Sequence, residues 1–129
     1  MATARYFSEA EFKRCTPPCS INDMDQEFLK LMDAIRERAG IPLVINCAYR
    51  SREYDLSKGR SGNSMHTKGI AVDFRCLNYQ TRLRIVQAAL ACGIKRIGQG
   101  ETFVHIDIGD KRFGLPIALA LYNNKGAWT

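Results

Sequence analysis

The chain has 129 residues, of which 46% are hydrophobic and 25% charged, and it carries a formal net charge of +6. That is enough for one globular domain, residues 1–129, with a core that needs no disulfide staples. No apolar run approaches the ~18 residues of a membrane span, and the opening Met1-Ala-Thr-Ala-Arg-Tyr-Phe-Ser8 lacks the apolar stretch of a signal peptide, so no membrane association and cytoplasmic synthesis without a leader are expected.

Ser8 to Arg14 reads as a short helix, with Ser8 as cap and Glu11 completing a capping box, that ends before Pro17-Pro18. The clearest helix is expected from Asp23 to Ala39. Met24, Phe28, Leu31, Ile35 and Ala39 recur at helical spacing, Asn22 or Asp23 caps the start, and Gly40 and Pro42 stop it. Leu43-Val44-Ile45 reads as a buried strand, and the polar, Gly- and Ser-rich stretch from Ser51 to Ser64 as a loop with at most a helical turn. Gly69 to Arg75 alternates as a strand. Tyr79 to Cys92 is a second amphipathic helix, with Leu83, Val86 and Leu90 as its apolar stripe, Asn78 as cap and Gly93 as stop. Thr102 to Ile108 alternates again, whereas Leu115 to Tyr122 fits helix or strand equally.

Alternation decides where the chemistry points, because successive strand side chains face opposite sides of a sheet. Ile70, Val72 and Phe74 claim the core from one strand, and Val104, Ile106 and Ile108 from the other. Asp73, His105 and Asp107 therefore face away from it. The expected fold is α+β: a small antiparallel sheet with helices packed on one face and an open polar site on the other.

The chain has only two histidines, His66 and His105, and each lies near a carboxylate. Two imidazoles and one carboxylate form a catalytic zinc set, three protein ligands with the fourth position open. His66 and Asp73 have the wrong separation for one helical turn and the wrong parity for one strand. They can meet only if the chain turns between them, and Gly69 permits that turn. The five cysteines, Cys15, Cys19, Cys47, Cys76 and Cys92, are an odd number in a chain without a visible leader, which argues for buried thiols rather than a disulfide framework. The dispersed positive charge suits a polyanionic partner, either nucleic acid or bacterial wall, and no nucleic-acid recognition signature accompanies it.

Ser64-x-His66-x-x-Gly69-x-Ala71-x-Asp73, preceded by Ala48-Tyr49-Arg50-Ser51 and followed by Phe103-Val-His105-Ile-Asp107, resembles the zinc D-alanyl-D-alanine peptidases, and among them the small single-domain enzymes often encoded by phages and prophages. The likeness runs from about Tyr6 to Gly109. It implies the hedgehog/D-Ala-D-Ala peptidase-like form of the fold expected above. It also implies Zn2+ held by His66, Asp73 and His105, and hydrolysis of peptidoglycan stem or cross-link peptides beside D-amino acids by a monomer acting on the cell wall. Arg50 matches a tyrosine–arginine motif whose guanidinium binds substrate or stabilises the oxyanion, and Ser64 matches a small polar residue expected to fix His66.

Where several relatives carry an acidic general base, three residues before the last histidine, this chain has Thr102. The candidates for that role are Asp107, favoured by strand parity, and Glu101 at the strand entrance. Two other classes remain: a catalytically silent zinc-binding module on the same scaffold, like the hedgehog signalling domain, and a basic nucleic-acid binder with incidental histidines. Activity with and without chelator separates the first, and salt-dependent DNA affinity without metal would mark the second.

Overall fold

In the computed structural model, which describes all 129 residues, the alternating segments pair as their pattern requires. Strands β1 (Ile45–Cys47), β2 (Ala71–Arg75), β3 (Arg96–Gln99), β4 (Phe103–Asp107) and β5 (Ala118–Leu121) form one sheet in the order β1-β2-β4-β3-β5. Four strands run antiparallel to their neighbours, and β5 joins the edge of β3 in parallel. The central pair is β2 and β4, in register from Ala71 opposite Asp107 to Arg75 opposite Phe103.

Helices α1 (Glu9–Lys13), α2 (Gln26–Ala39), α3 (Arg52–Ser57), α4 (Tyr79–Ala91) and α5 (Gly109–Phe113) complete the chain. Phe28, Leu29, Met32 and Ile35 of α2 and Ile85, Ala88 and Ala89 of α4 join Val72, Phe74, Val104 and Ile106 in one buried core. Each fully buried Phe, Leu, Ile or Met contributes about 1.5–3 kcal/mol relative to exposure, so this face holds the sheet and leaves the other free for polar groups. No helix is long and apolar enough to cross a membrane.

Several details differ from the sequence expectation. Helix α2 begins later than Asp23 because Ile21–Asp23 closes its own 3-10 turn, and Asp25 then caps α2 by accepting from the Phe28 N–H at 3.0 Å. The first strand starts at Ile45, and Val44 is exposed. On α4 the stripe is rotated: Leu83 and Leu90 are exposed, and Ile85, Ala88 and Ala89 face inward. Small alanines let this helix lie close to its neighbours, and close packing outweighs side-chain size. Arg96–Gln99, to which the sequence reading assigns no element, is a strand, and the ambiguous segment resolves as β5.

Candidate metal centre

The register places Cys47, Asp73, His105, Gly98 and Ala120 in one row across all five strands. Asp73 and His105 are direct cross-strand partners, and such partners have Cβ atoms about 4.5–5.5 Å apart. His66 reaches them from a 3-10 turn, Met65–Lys68, that ends at Gly69 with φ +70°. A Cβ on Gly69 would lie 2.5 Å from the Asp23 carbonyl oxygen, so both the turn and its seat against the α2 N-terminus require glycine.

Three donor atoms converge. His66 Nε2 is 3.2 Å from His105 Nδ1 and 3.2 Å from Asp73 Oδ1, and His105 Nδ1 is 2.9 Å from Asp73 Oδ1. A tetrahedral ion with bonds of about 2.0–2.1 Å needs donors roughly 3.3 Å apart, so this triangle is close to the size zinc requires. The outer ring nitrogens are both committed. The only atom opposite His66 Nδ1 at 2.6 Å is the Ala48 carbonyl oxygen, so that nitrogen donates and Nε2 keeps its lone pair for the centre. His105 Nε2 lies 2.6 Å from Asp107 Oδ2 and donates to it, which frees Nδ1 in the same way.

Asp107 is itself fixed. Its Oδ1 accepts from Arg96 Nε at 2.7 Å and from the Gly109 N–H at 2.8 Å, and the residue is buried. Where the sequence expectation has Asp107 as a free carboxylate serving as general base, both of its oxygens are engaged here, Oδ2 by His105 and Oδ1 by Arg96 and Gly109. Glu101 is exposed on the β3–β4 turn, where its carbonyl accepts from Arg82 Nη2 at 2.8 Å, and it does not line the cleft.

Burial alone would lower the pKa of His105, but hydrogen bonds to Asp107 and Asp73 and their charges outweigh it and hold the imidazole up at about 9. Burial likewise pushes Asp73 up, and the two histidines more than reverse it, leaving this carboxyl well below its usual range. In the metal-free protein the protonated imidazole thus balances Asp73 and Arg96 balances Asp107, and a divalent cation would take the place of the proton on Nδ1.

Cys47, His66 and Asp73 also offer donors within 4.8 Å of one another. Cys47 Sγ, however, lies 3.7 Å from His66 Nδ1, the nitrogen already bound to Ala48. Burial and then Asp73 push its thiol up to about 12. His105 is therefore the better third ligand, on the side of the His66 ring that remains free.

Arg50 lies on the β1 side of the centre and lines the same cleft. Its Nε is 2.9 Å from Asp55 Oδ1, an ion pair whose approach is off the hydrogen-bond direction, and its Nη2 donates to Ser64 Oγ at 3.2 Å. Ser64 Oγ in turn donates to Asp55 Oδ2 at 2.8 Å. The Ser64 hydroxyl thus holds Arg50 both directly and through Asp55, and it is to these residues rather than to His66 that it bonds. Asp55, fully buried, is the site residue that the sequence reading missed; a carboxylate in a loop-like stretch carries no periodic signal.

The cleft holds about 1310 Å³ and is bordered by Arg14, Arg50, Lys58, Arg60, Arg75, Arg96 and Lys125, whereas its acidic residues are Glu11, Asp73 and Asp107. Glu11 is engaged with Ser8 N–H at 2.6 Å and the other two with histidines, so the free charge of the cleft is positive.

The sequence profile of the family Peptidase M15 matches residues 5–107. No curated protein matches the sequence. Among solved structures, the L-Ala D-Glu endopeptidase ChiX of Serratia marcescens has a similar fold, with a TM-score of 0.54 and 15% identity over 88% of this chain and 95% of its own.

Proposed function

The chain belongs to the Peptidase M15 family, and from that premise we propose that it is a zinc-dependent peptidase that hydrolyses peptidoglycan stem or cross-link peptides next to D-amino acids. The observation that carries the reading is the triangle of His66 Nε2, Asp73 Oδ1 and His105 Nδ1 at the floor of an open cleft. A zinc ion there supplies a Lewis acid for the scissile carbonyl and an activated water.

The remaining chemistry belongs to the side chains. Asp107 keeps the proton of His105 on Nε2 and so keeps Nδ1 available, which makes it a positioning residue rather than the base. Arg50, held from behind by Asp55 and Ser64, presents the rest of its guanidinium to a carbonyl oxygen gaining charge. The unpaired cations of the cleft border suit a peptide rich in free carboxylates, as stem peptides are. The L-Ala D-Glu bond for which the Serratia endopeptidase is named and the D-Ala-D-Ala bond both adjoin a D-residue, and either is compatible with this cleft. The reading includes a monomer of phage or prophage type, with no nucleic-acid partner, acting on the bacterial wall.

Mass spectrometry of purified peptidoglycan and of a synthetic stem pentapeptide after digestion tests the proposal. Fragments cut beside a D-residue, lost with chelator and restored by zinc, are expected; no cleavage by zinc-loaded protein would overturn it. One observation favours a second reading, a silent zinc-binding module on the same scaffold: Thr102 stands at the position of the acidic base in several relatives, Asp107 is engaged by His105, Arg96 and Gly109, and Glu101 lies outside the cleft. Stoichiometric zinc without any turnover would select that reading.

A further inference from the structure

The C-terminal segment lies beyond the residues matched by the family profile, yet it forms one side of the cleft. Its fold is specified locally. Tyr122 N–H donates to the Gln99 carbonyl at 3.0 Å, Leu121 and Thr129 exchange backbone hydrogen bonds at 3.1 and 2.8 Å, and Tyr122 bridges to Trp128. The Asn123 side chain accepts from the N–H groups of Lys125 and Ala127, each at 2.9 Å, and closes the turn. This hairpin sets Tyr122 and Trp128 on Gly98, the residue paired with His105 in the adjacent strand. A Cβ on Gly98 would stand 2.7 Å from the Tyr122 ring and 2.9 Å from Trp128 Nε1, so the aromatic pair occupies the space a side chain would fill.

The pair is also joined to the metal ligands. The Trp128 ring meets His105 edge-on at 5.7 Å, Tyr122 meets it at 6.3 Å, and the two rings meet each other at 6.0 Å. Arg96, which holds Asp107, sits 4.8 Å over Trp128, and Phe103 backs Tyr122 at 5.2 Å. Tyr122 and Trp128 remain partly exposed, and both line the cleft. The strand order places this aromatic bank on the β5 side and Arg50 on the β1 side, with Asp73 and His105 between them. The cleft is therefore two-sided in its chemistry.

We propose that Tyr122 and Trp128 are specificity-determining residues: they form the wall against which the small apolar residue beside the scissile bond, an alanyl methyl, packs. The proposal rests on the peptidase reading of the same site. Aromatic faces bind methyl groups and peptide planes by burial and dispersion and leave carboxylates to the cationic border, so the wall fixes the direction in which a stem peptide lies.

Steady-state kinetics on a synthetic stem pentapeptide provide the test. Trp128→Ala and Tyr122→Leu are each expected to raise KM about tenfold, the order of one lost aromatic contact. Zinc content and kcat should stay near wild type, and Trp128→Phe should recover most of the loss. A peptide with glycine in place of the alanyl residue should bind wild type weakly and be indifferent to Trp128→Ala. Unchanged KM in both variants, or loss of zinc and kcat together, would overturn the proposal, the latter by making the hairpin a support for His105. Trp128 is the only tryptophan in the chain, so its fluorescence reads the wall without any turnover. Saturable change on adding the peptide to protein that cleaves nothing would leave the wall standing and remove the peptidase. Turnover with unaltered emission and KM would remove the wall alone.

Discussion

The two histidines of the centre are held by opposite means. His66 sits on a 3-10 turn, and its outer nitrogen is fixed by a main-chain carbonyl, that of Ala48. His105 sits within a strand, and its outer nitrogen is fixed by a carboxylate that is itself fixed by Arg96 and Gly109. A main-chain support has no side chain to lose and no proton to exchange. A carboxylate support can be mutated and neutralised, and it raises the basicity of the ligand it holds. One half of the centre therefore depends on the path of the chain, and the other on a charge network.

Removing either imidazole erases the contrast. His66→Ala and His105→Ala should each abolish stoichiometric zinc and activity, as elemental analysis would show; full zinc in either variant would remove that residue from the centre. Asp55→Ala attacks the Arg50 side of the site. Leaving the guanidinium without its buried partner should lower stability by about 3–5 kcal/mol in denaturant titration. Arg50→Ala should keep zinc and lose roughly 100-fold in kcat, the usual scale for one electrostatic stabiliser.

Asp107→Asn tests the charge-network half directly, and a roughly 10–100-fold weaker zinc affinity is expected from competition with a chelating dye. Retained affinity with turnover lost would instead restore Asp107 as the base. The same half should respond to pH. In metal-free protein the His105 pKa is raised to about 9, so below that pH a zinc ion must displace a proton from Nδ1. Apparent affinity should accordingly fall about tenfold per pH unit on descending from 9, and isothermal titration in buffers of different ionisation enthalpy would count the proton released. The smallest effect belongs to the main-chain half: Ala48→Gly keeps the carbonyl and should leave zinc affinity within about twofold.

Much of this cluster was legible in the sequence because two of its three donors, Asp73 and His105, lie in strands whose aliphatic partners mark the opposite face. Val72 and Phe74 point Asp73 outward, and Val104 and Ile106 do the same for His105. Gly69 signalled the turn that brings His66 in. Elements without an apolar period were lost. β3 reads Arg-Ile-Gly-Gln, and its strand character comes from β4 and β5 on either side rather than from its own residues. The expected α4 stripe is displaced because leucines announce themselves more strongly than alanines, although Ala88 and Ala89 are the buried residues. Parity indicated correctly that Asp107 shares a face with His105, but it could not reveal that the carboxylate turns back onto the ring. Contacts of that kind are set by Arg96 and Gly109, which come from other elements.

The pairing of Asp73 with His105 across β2 and β4 makes the sheet a calliper for ionic radius. Two ladder strands cannot part without breaking the backbone bonds on either side, so the gap between the two Cβ atoms that carry these donors is set before any ion arrives. Calcium, with bonds of about 2.3–2.6 Å and a demand for roughly six to eight oxygens, would have to spread that gap and would find only one carboxylate oxygen in it. On the proposed zinc reading, a first-row ion content with three nitrogen and oxygen donors would fit without opening the ladder, and selection among cations would lie in the spacing of a backbone that never touches them.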